Sequence, residues 1–415
     1  MLFQRLSRSG FMASLTVLII TGCASYYTTD YDDLYGSPQV QDRSIGWNEF
    51  QGRIQKGQTS FVNDVKPILD ARCVACHACN DAPCQQKLTS YEGIDRGASK
   101  AKVYEAARLT SADPTRLFVD AKDTQEWREK GFYPILNERN NLENTEADLM
   151  GSLLFRVLNQ KFINPLSDHG GSPQPLPDTF DLSLDRSQQC PTIEEFDYYE
   201  KKNPLWGMPF GLPGLQPDEI STISQWLAEG AKFDPLPPLS SQSQASVNQW
   251  ERFFNQPSLK QQLVSRYIYE HLFLGHLRLN TGSEREFFKL VRSYTPPGEP
   301  IDEIATVRPY DHPDTDRIYY RLRHVTSTIV DKTHLVYDLN DARMERFKTL
   351  FLVPDYNVES LPSYDPEQAS NPFITFAAIP AKSRYTFLLD EAQFFIGGFI
   401  KGPVCRGQIA LNVID

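Results

Sequence analysis

Phe61-Val62-Asn63-Asp64-Val65-Lys66-Pro67-Ile68-Leu69-Asp70-Ala71-Arg72-Cys73-Val74-Ala75-Cys76-His77 decides how the first half of this chain is read. Phe61, Val65, Ile68 and Leu69 fall at helical spacing, with Pro67 near the first turn of the best-formed part, so a short helix is predicted to run straight into Cys73. Cys73-Val74-Ala75-Cys76-His77 is CxxCH, the c-type haem attachment sequence. Its spacing has a mechanical reason. Two thiols three positions apart reach the two vinyl groups of one haem as thioethers, and the next residue sets an imidazole under the iron. Cys73, Cys76 and His77 are therefore the candidate holders of a single covalent haem c. A zinc or disulfide cluster is the competing reading; the export signal described below, the preceding helix and a suitable second ligand downstream weigh against it.

Cys79 and Cys84 extend the run to C-x2-C-x2-C-x4-C, which superficially looks like iron–sulfur ligation. Ferredoxin spacing places three residues before the fourth cysteine and a proline after it, whereas here Pro83 precedes Cys84 and His77 interrupts the run. A Cys79–Cys84 disulfide beside the haem loop fits an oxidising compartment better, and the pairing of Cys190 and Cys405 stays open.

The expected distal ligand is Met208, in Trp206-Gly207-Met208-Pro209-Phe210-Gly211-Leu212-Pro213. A methionine followed by proline sits in a rigid extended loop, where its soft thioether can meet iron from the side opposite His77. The alternative for Met208 is a core methionine. Met150 and Met344 fall on apolar helical faces, and Met1 and Met12 leave with the signal. His271 and His276 are assigned to a strong helix of the second half, and His169, His312, His324 and His334 to loops or strands, where structural or surface roles are expected.

Outward from the motif, Arg5 and Arg8 precede an apolar run from Phe11 to Ile20. That run is shorter than the ~20 residues that span a bilayer and matches a signal-peptide core, so residues 1–23 read as an export signal and the mature protein as periplasmic. Ile20-Thr21-Gly22-Cys23 resembles the lipobox of bacterial lipoproteins, which makes Cys23 a candidate acylated anchor to the membrane. Residues 24–60 read as a tether without a core, and 61–233 as a cytochrome c-like haem domain with a long loop-rich insertion. Within it, Leu149, Leu153 and Val157 with Met150, Leu154 and Leu158 form a wide helical face, and Gln216-Pro217-Asp218-Glu219 opens a helix carrying Ile220, Ile223, Trp226 and Leu227 to a stop at Gly230. Residues 234–246, DPLPPLSSQSQAS, read as a junction that continues neither helix nor sheet.

Residues 247–415 read as a mixed α+β domain: a helix with Leu259, Leu263, Val264, Tyr267, Ile268 and Leu272, strands near 317–325 and 334–339, and a long final helix from Pro380 carrying Tyr385, Leu388, Leu389, Ala392, Phe395, Ile396 and Phe399 inward. The expected fold class is thus mainly α with an α+β second half. The two apolar helices are candidate walls of an acyl channel, with domain core as the default.

A chain of 415 residues holds roughly two to three domains of about 100 to 200 residues. Its 40% hydrophobic and 23% charged residues are those of a globular protein, which excludes wholesale disorder. The net charge is −11 without a basic block, so nucleic acid is not an expected partner. Walker loop, GxSxG elbow, HExxH and dinucleotide fingerprint are all absent from the sequence.

CVACHACNDAPCQQKLTSYEG, DPTRLFVDA, GMPFGLPGL, YIYEHLFLGHL, VRSYTPPGEPIDEIATVRPYD and FIKGPVCRGQIALNVID together resemble the bacterial fatty acid cis/trans isomerases. The resemblance runs from the export signal to the last residue. It implies a periplasmic c-type cytochrome that converts cis-unsaturated acyl chains of membrane phospholipids to trans, without moving the double bond and without ATP or nicotinamide. By that resemblance Cys73, Cys76 and His77 hold the haem, and electron-poor ferric iron draws density from the π bond while the chain rotates. Met208 would then either dissociate or stay while the electron moves through the haem edge. Members of the family continue beyond the stretch matching Gly407 to Asp415, which implies an N-terminal portion or a truncated form. The alternative, from a different class, is an electron-transfer cytochrome whose second half docks a redox partner.

Overall fold

Helices dominate the chain, and the sheet among its described residues is small and confined to the second half. The computed structural model describes residues 32–33, 35–103, 113–140, 144–165, 176–178, 180–183, 186–280, 283 and 285–402. The export signal, Cys23, His169 and Cys405 lie outside them. The chain divides into two compact units, one of Met1–Cys73, Tyr91–Lys100 and Asp123–Pro235, the other of Val74–Ser90, Ala101–Lys122 and Leu236–Asp415.

In the first unit a π turn, Phe61–Val65, leads directly into the helix Lys66–Arg72, as the spacing predicts. Its entry is fixed by polar contacts to the first amides of the turn. Ser60 Oγ accepts from Asn63 N and donates to Asp234 Oδ2 (2.6 Å), which also accepts from Val62 N (3.0 Å). Phe61 packs on Trp226 of the helix Pro217–Ala228 (centroids 5.4 Å apart), and Tyr91 stacks on Phe233 at 4.3 Å. Pro217–Ala228 begins and ends where expected: Gln216 N donates to Glu219 Oε2 (2.8 Å), and Gly230 takes φ +84°.

Two readings of this unit change. The supposed tether buries Arg43 and Ile45, pairs with Phe233 through Ile45 N→O (3.2 Å) and Phe233 N→Arg43 O (2.9 Å), and carries a helix at Trp47–Gln55. Arg43 can be buried because its guanidinium donates to the Asn137 carbonyl and faces Asp95 at 3.4 Å. The wide face around Leu153 belongs to two helices, Thr145–Met150 and Leu153–Ile163. Ser152 interrupts them, capping the second through Phe155 N (3.4 Å) and donating to the Ile135 carbonyl (3.0 Å).

The second unit is built on a four-stranded mixed sheet, β1 (His276–Leu279), β2 (Phe288–Ser293), β3 (Tyr319–His324) and β4 (Val336–Leu339), in the order β3-β2-β1-β4. β2 is antiparallel to β1 and β3, and β4 is parallel to β1. Helices Ser241–Phe254 and Leu259–Leu272 pack on it through Trp250, Phe254, Ile268 and Leu272, and Phe347 and Phe387 close the core from the C-terminal helices. The stretch expected to break helix and sheet alike does so only through Leu239. Ser240 Oγ then accepts from Ser243 N (3.0 Å), and a serine-capped helix forms once the prolines have ended.

His276 belongs to β1 and not to the preceding helix: that helix ends at Leu272 with Phe273 as its cap, and the His276 amide donates to the Leu335 carbonyl (2.7 Å). The final helix is two, Ala381–Asp390 and Ala392–Gly398, separated at Glu391. Their buried residues are Ser383, Phe387, Phe394 and Gly398, while Tyr385, Leu389, Ile396 and Phe399, expected inward, are exposed. Leu263, Val264, Tyr267, Ile268 and Leu272 are core, which is the default reading of that stripe. Among the described residues no helix is long and apolar enough to cross a membrane.

Candidate functional site

Cys73 caps the end of Lys66–Arg72, its amide donating to the Leu69 carbonyl (2.8 Å). From Val74 the motif loop belongs to the second unit, where Val74, Ala78 and Cys79 form a small buried cluster against Val330. The chain turns back through Cys84 and Gln85, both at positive φ (55° and 51°), an unusual conformation for residues with a Cβ. After that turn the Leu88 amide donates to the His77 carbonyl (2.9 Å), and the Gln86 carbonyl lies 3.0 Å from His77 Nδ1.

A carbonyl can only accept, so His77 Nδ1 carries the proton of this bond and Nε2 keeps the lone pair. Burial pushes the imidazole below its ordinary pKa, and the Gln86 carbonyl opposes this only in part, so the ring is neutral at pH 7. Cys73 and Cys76 hold thiols, half-buried and exposed respectively, whereas Cys79, Cys84 and Cys190 are each disulfide-bonded. A neutral imidazole with its far nitrogen fixed as the acceptor, following two thiols, is a donor set suited to a covalently attached metalloporphyrin. Among the described residues no group of three or more His, Cys, Asp or Glu side chains is placed to hold a bare metal ion.

Met208 lies in the first unit and is half-buried, in a loop that Trp206 and Phe210 stiffen by edge-to-face contact at 5.3 Å. Its amide donates to the Val157 carbonyl (2.9 Å). Of the other histidines, His271 donates Nδ1–H to the Tyr267 carbonyl (2.7 Å) among aromatic rings, and His276 and His334 face each other with Nδ1 atoms 3.2 Å apart.

A cavity of about 350 Å³ opens within the second unit beside the motif loop, lined by Ala78, Asn80, Lys87 and Thr89 on that side. Its opposite wall includes Lys289 of β2 and Arg323 of β3. The sequence reading missed both residues. Their alternation with apolar neighbours was visible, but the register that sets them face to face is not written in either strand alone.

A mainly helical chain whose second unit carries a small four-stranded mixed sheet and a cavity rich in cationic side chains is the class that the fold defines. Residues 112–415, more than half of the chain, match the fatty acid cis/trans isomerase family, and the chain belongs to it. It is accordingly a cis/trans isomerase of unsaturated fatty acids. The matched residues include the cavity wall that carries Lys289 and Arg323, and Met208; they begin after the CxxCH motif and after Ala78, Asn80, Lys87 and Thr89 of the facing wall. No curated protein and no solved structure matches the chain.

Proposed function

We propose that this isomerase uses one covalently attached haem c to convert cis-unsaturated acyl chains of membrane phospholipids to trans without shifting the double bond. The observation that carries the reading is the state of His77: neutral, tied through Nδ1 to the Gln86 carbonyl, and preceded by the thiols of Cys73 and Cys76. Those residues fit the group. Cys73 and Cys76 would form the thioethers, His77 would ligate iron through Nε2, and Met208 would be the distal ligand. The helix entering Cys73 and its aromatic packing against Pro217–Ala228 support a cytochrome c-like arrangement of the first unit. Export by residues 1–23 and acylation at Cys23 would put the protein on the periplasmic face of a membrane, within reach of phospholipid.

Rotation about the partial double bond of an amide already costs ~18–20 kcal/mol, and a full C=C is far stiffer, so bond order must fall transiently. When bound, the haem supplies an electron-poor centre suited to that task. The chain's part is to fix the imidazole tautomer, hold the ring neutral by burial and keep the disulfide cysteines apart from the attachment thiols. The reaction is redox neutral.

Gas chromatography of fatty acids from cells expressing the protein tests the reading. Trans chains are expected with the wild type and lost with Cys73→Ala or His77→Ala. Trans chains that persist in both variants overturn the haem dependence; their absence throughout, with reversible one-electron cycling, favours an electron-transfer cytochrome.

A further inference from the structure

The register of the sheet sets Lys289 of β2 directly opposite Arg323 of β3. Like charges directly across a ladder repel, and these two are half-buried in a cavity wall, where water screens them poorly. Among the described residues lining the cavity stand six cations, Lys87, Arg116, Lys289, Arg308, Arg323 and Lys401, and a single carboxylate, Glu303. Glu303 is taken by Arg323 at 2.9 Å, Arg116 by Asp120 at 2.7 Å and Lys401 by Asp331 at 2.9 Å. Lys289 Nζ donates to the Leu274 carbonyl (2.7 Å), which satisfies one donor and neutralises no charge. Burial, with Arg323 and Lys87 nearby and only Glu303 opposing, pulls its amine down to about 7.

Thr89 adds a second, independent sign. Its hydroxyl is buried on the cavity wall with no hydrogen-bond partner among the described residues, and its carbonyl accepts from Thr328 N (2.8 Å), tying the motif loop to the far wall. An unsatisfied buried hydroxyl beside excess positive charge calls for an oxyanion. The wall also carries apolar side chains, among them Leu117, Phe273, Ile304 and Val325, between further hydroxyl and amide groups. A volume near 350 Å³ suits a glycerophosphate ester with the roots of its acyl chains.

We propose that this cavity holds the phosphodiester of a glycerophospholipid, with Lys289 and Arg323 as its charge partners and Thr89 Oγ1 as a hydrogen-bonding partner. The assignment rests on the phospholipid reading of the function and adds the part of the substrate that is gripped. Anchoring the phosphate there would leave an acyl chain leading away from a wall that the motif loop itself helps to form.

Calorimetric titration of the full, haem-loaded chain with dihexanoyl phosphatidylglycerol tests it, beside dihexanoylglycerol, which lacks the phosphate, and inorganic phosphate. The phospholipid is expected to bind, and dihexanoylglycerol about tenfold or more weaker. Lys289→Met and Arg323→Gln should each weaken the phospholipid by about tenfold, with Lys289→Arg restoring it. Lys289→Met relieves a like-charge pair, so it should melt no lower than the wild type, and weaker binding cannot then be a folding defect. Equal binding by Lys289→Met and wild type overturns the proposal. So does inorganic phosphate binding as tightly as the lipid, which makes the cavity a free-anion site, or binding by haem-free protein alone, which gives the cations to the haem carboxylates. The titration needs no turnover: charge-dependent binding without trans product would sink the isomerisation reading and leave the site standing.

Discussion

Gly207 lies against the backbone of Lys161, so close that a Cβ on Gly207 would fall inside contact distance of the Lys161 amide nitrogen and 2.7 Å from its Cα. The next residue, Met208, donates its amide to the Val157 carbonyl one turn earlier on the same helix. The loop that carries the candidate distal ligand is thus laid along Leu153–Ile163 without room for a side chain.

Gly207→Ala should therefore lift the loop from the helix. Overpacking of this kind costs about 1–3 kcal/mol, which urea denaturation of the variant should show as a lower midpoint. If Met208 ligates iron, the haem-loaded Gly207→Ala protein should also lose the methionine–iron absorption signature. Met208→Ala should lose that signature with a smaller change in stability, because its side chain is half-buried and its amide bond is kept. An unchanged signature in both variants would remove Met208 from the coordination sphere.

Glu251, 2% exposed, accepts from Arg321 Nε (3.0 Å) and from the Leu322 amide (2.9 Å), joining helix Ser241–Phe254 to β3. Arg321 is otherwise held by the carbonyls of Pro296 (2.7 Å) and Glu299 (3.0 Å), which carry no full charge. Breaking a buried pair from one side costs about 3–5 kcal/mol because the other charge stays behind. Glu251→Gln, which preserves an acceptor, should cost about 3 kcal/mol by chemical denaturation. A loss of under 1 kcal/mol would mean that the carbonyls alone satisfy Arg321.

How much of this was legible in the sequence depended on how local the cause was. The helix into Cys73, the helix from Pro217 and the strands Tyr319–His324 and Val336–Leu339 follow from period and capping within a dozen residues, and they stand where the pattern puts them. His276 was misplaced because Leu272, Phe273 and Leu274 continue an apolar helical pattern, and only pairing with a strand 60 residues away decides against it. Glu391 is buried and ion-paired with Arg343, so the final helix breaks there and its inward face turns from Leu389 to Phe387 and Phe394. Arg43 is buried by an acceptor 94 residues on, which no window around it contains. The CxxCH residues were legible because one short segment sets their chemistry, whereas the Lys289–Arg323 pairing exists only once the sheet has closed.

Acid should weaken the second unit through its histidines. His271 is packed among Tyr267, Phe376, Phe387 and Phe395, and burial lowers its pKa to about 4 despite the bond to the Tyr267 carbonyl. Unfolded, it titrates near 6.5, so between pH 6.5 and 4 the unfolded chain binds the extra proton and stability falls as pH falls. The loss from this residue is on the order of 3 kcal/mol, complete below about pH 4. His276, lowered to about 2, extends the same limb. His271→Phe should flatten the stability profile across this window; a profile as steep as the wild type would assign the acid limb to other groups.

Alkali should act in the opposite sense through Lys161. Its side chain is 1% exposed, its ammonium has no hydrogen-bond partner among the described residues, and burial lowers its pKa to about 8. The unfolded chain holds that proton up to about 10.5, so from pH 8 to 10.5 the unfolded state binds more protons and stability rises with pH. Below pH 8 the charge is kept at a cost on the order of 3 kcal/mol. Lys161→Met has nearly the same length and no charge, so it should raise stability at pH 7 by that order and abolish the alkaline rise attributable to this site. Lys289 contributes a rise from about 7, and the double variant with Lys289→Met should remove both. A Lys161→Met variant that melts below the wild type at pH 7 would overturn the reading of a buried ammonium held at a net cost.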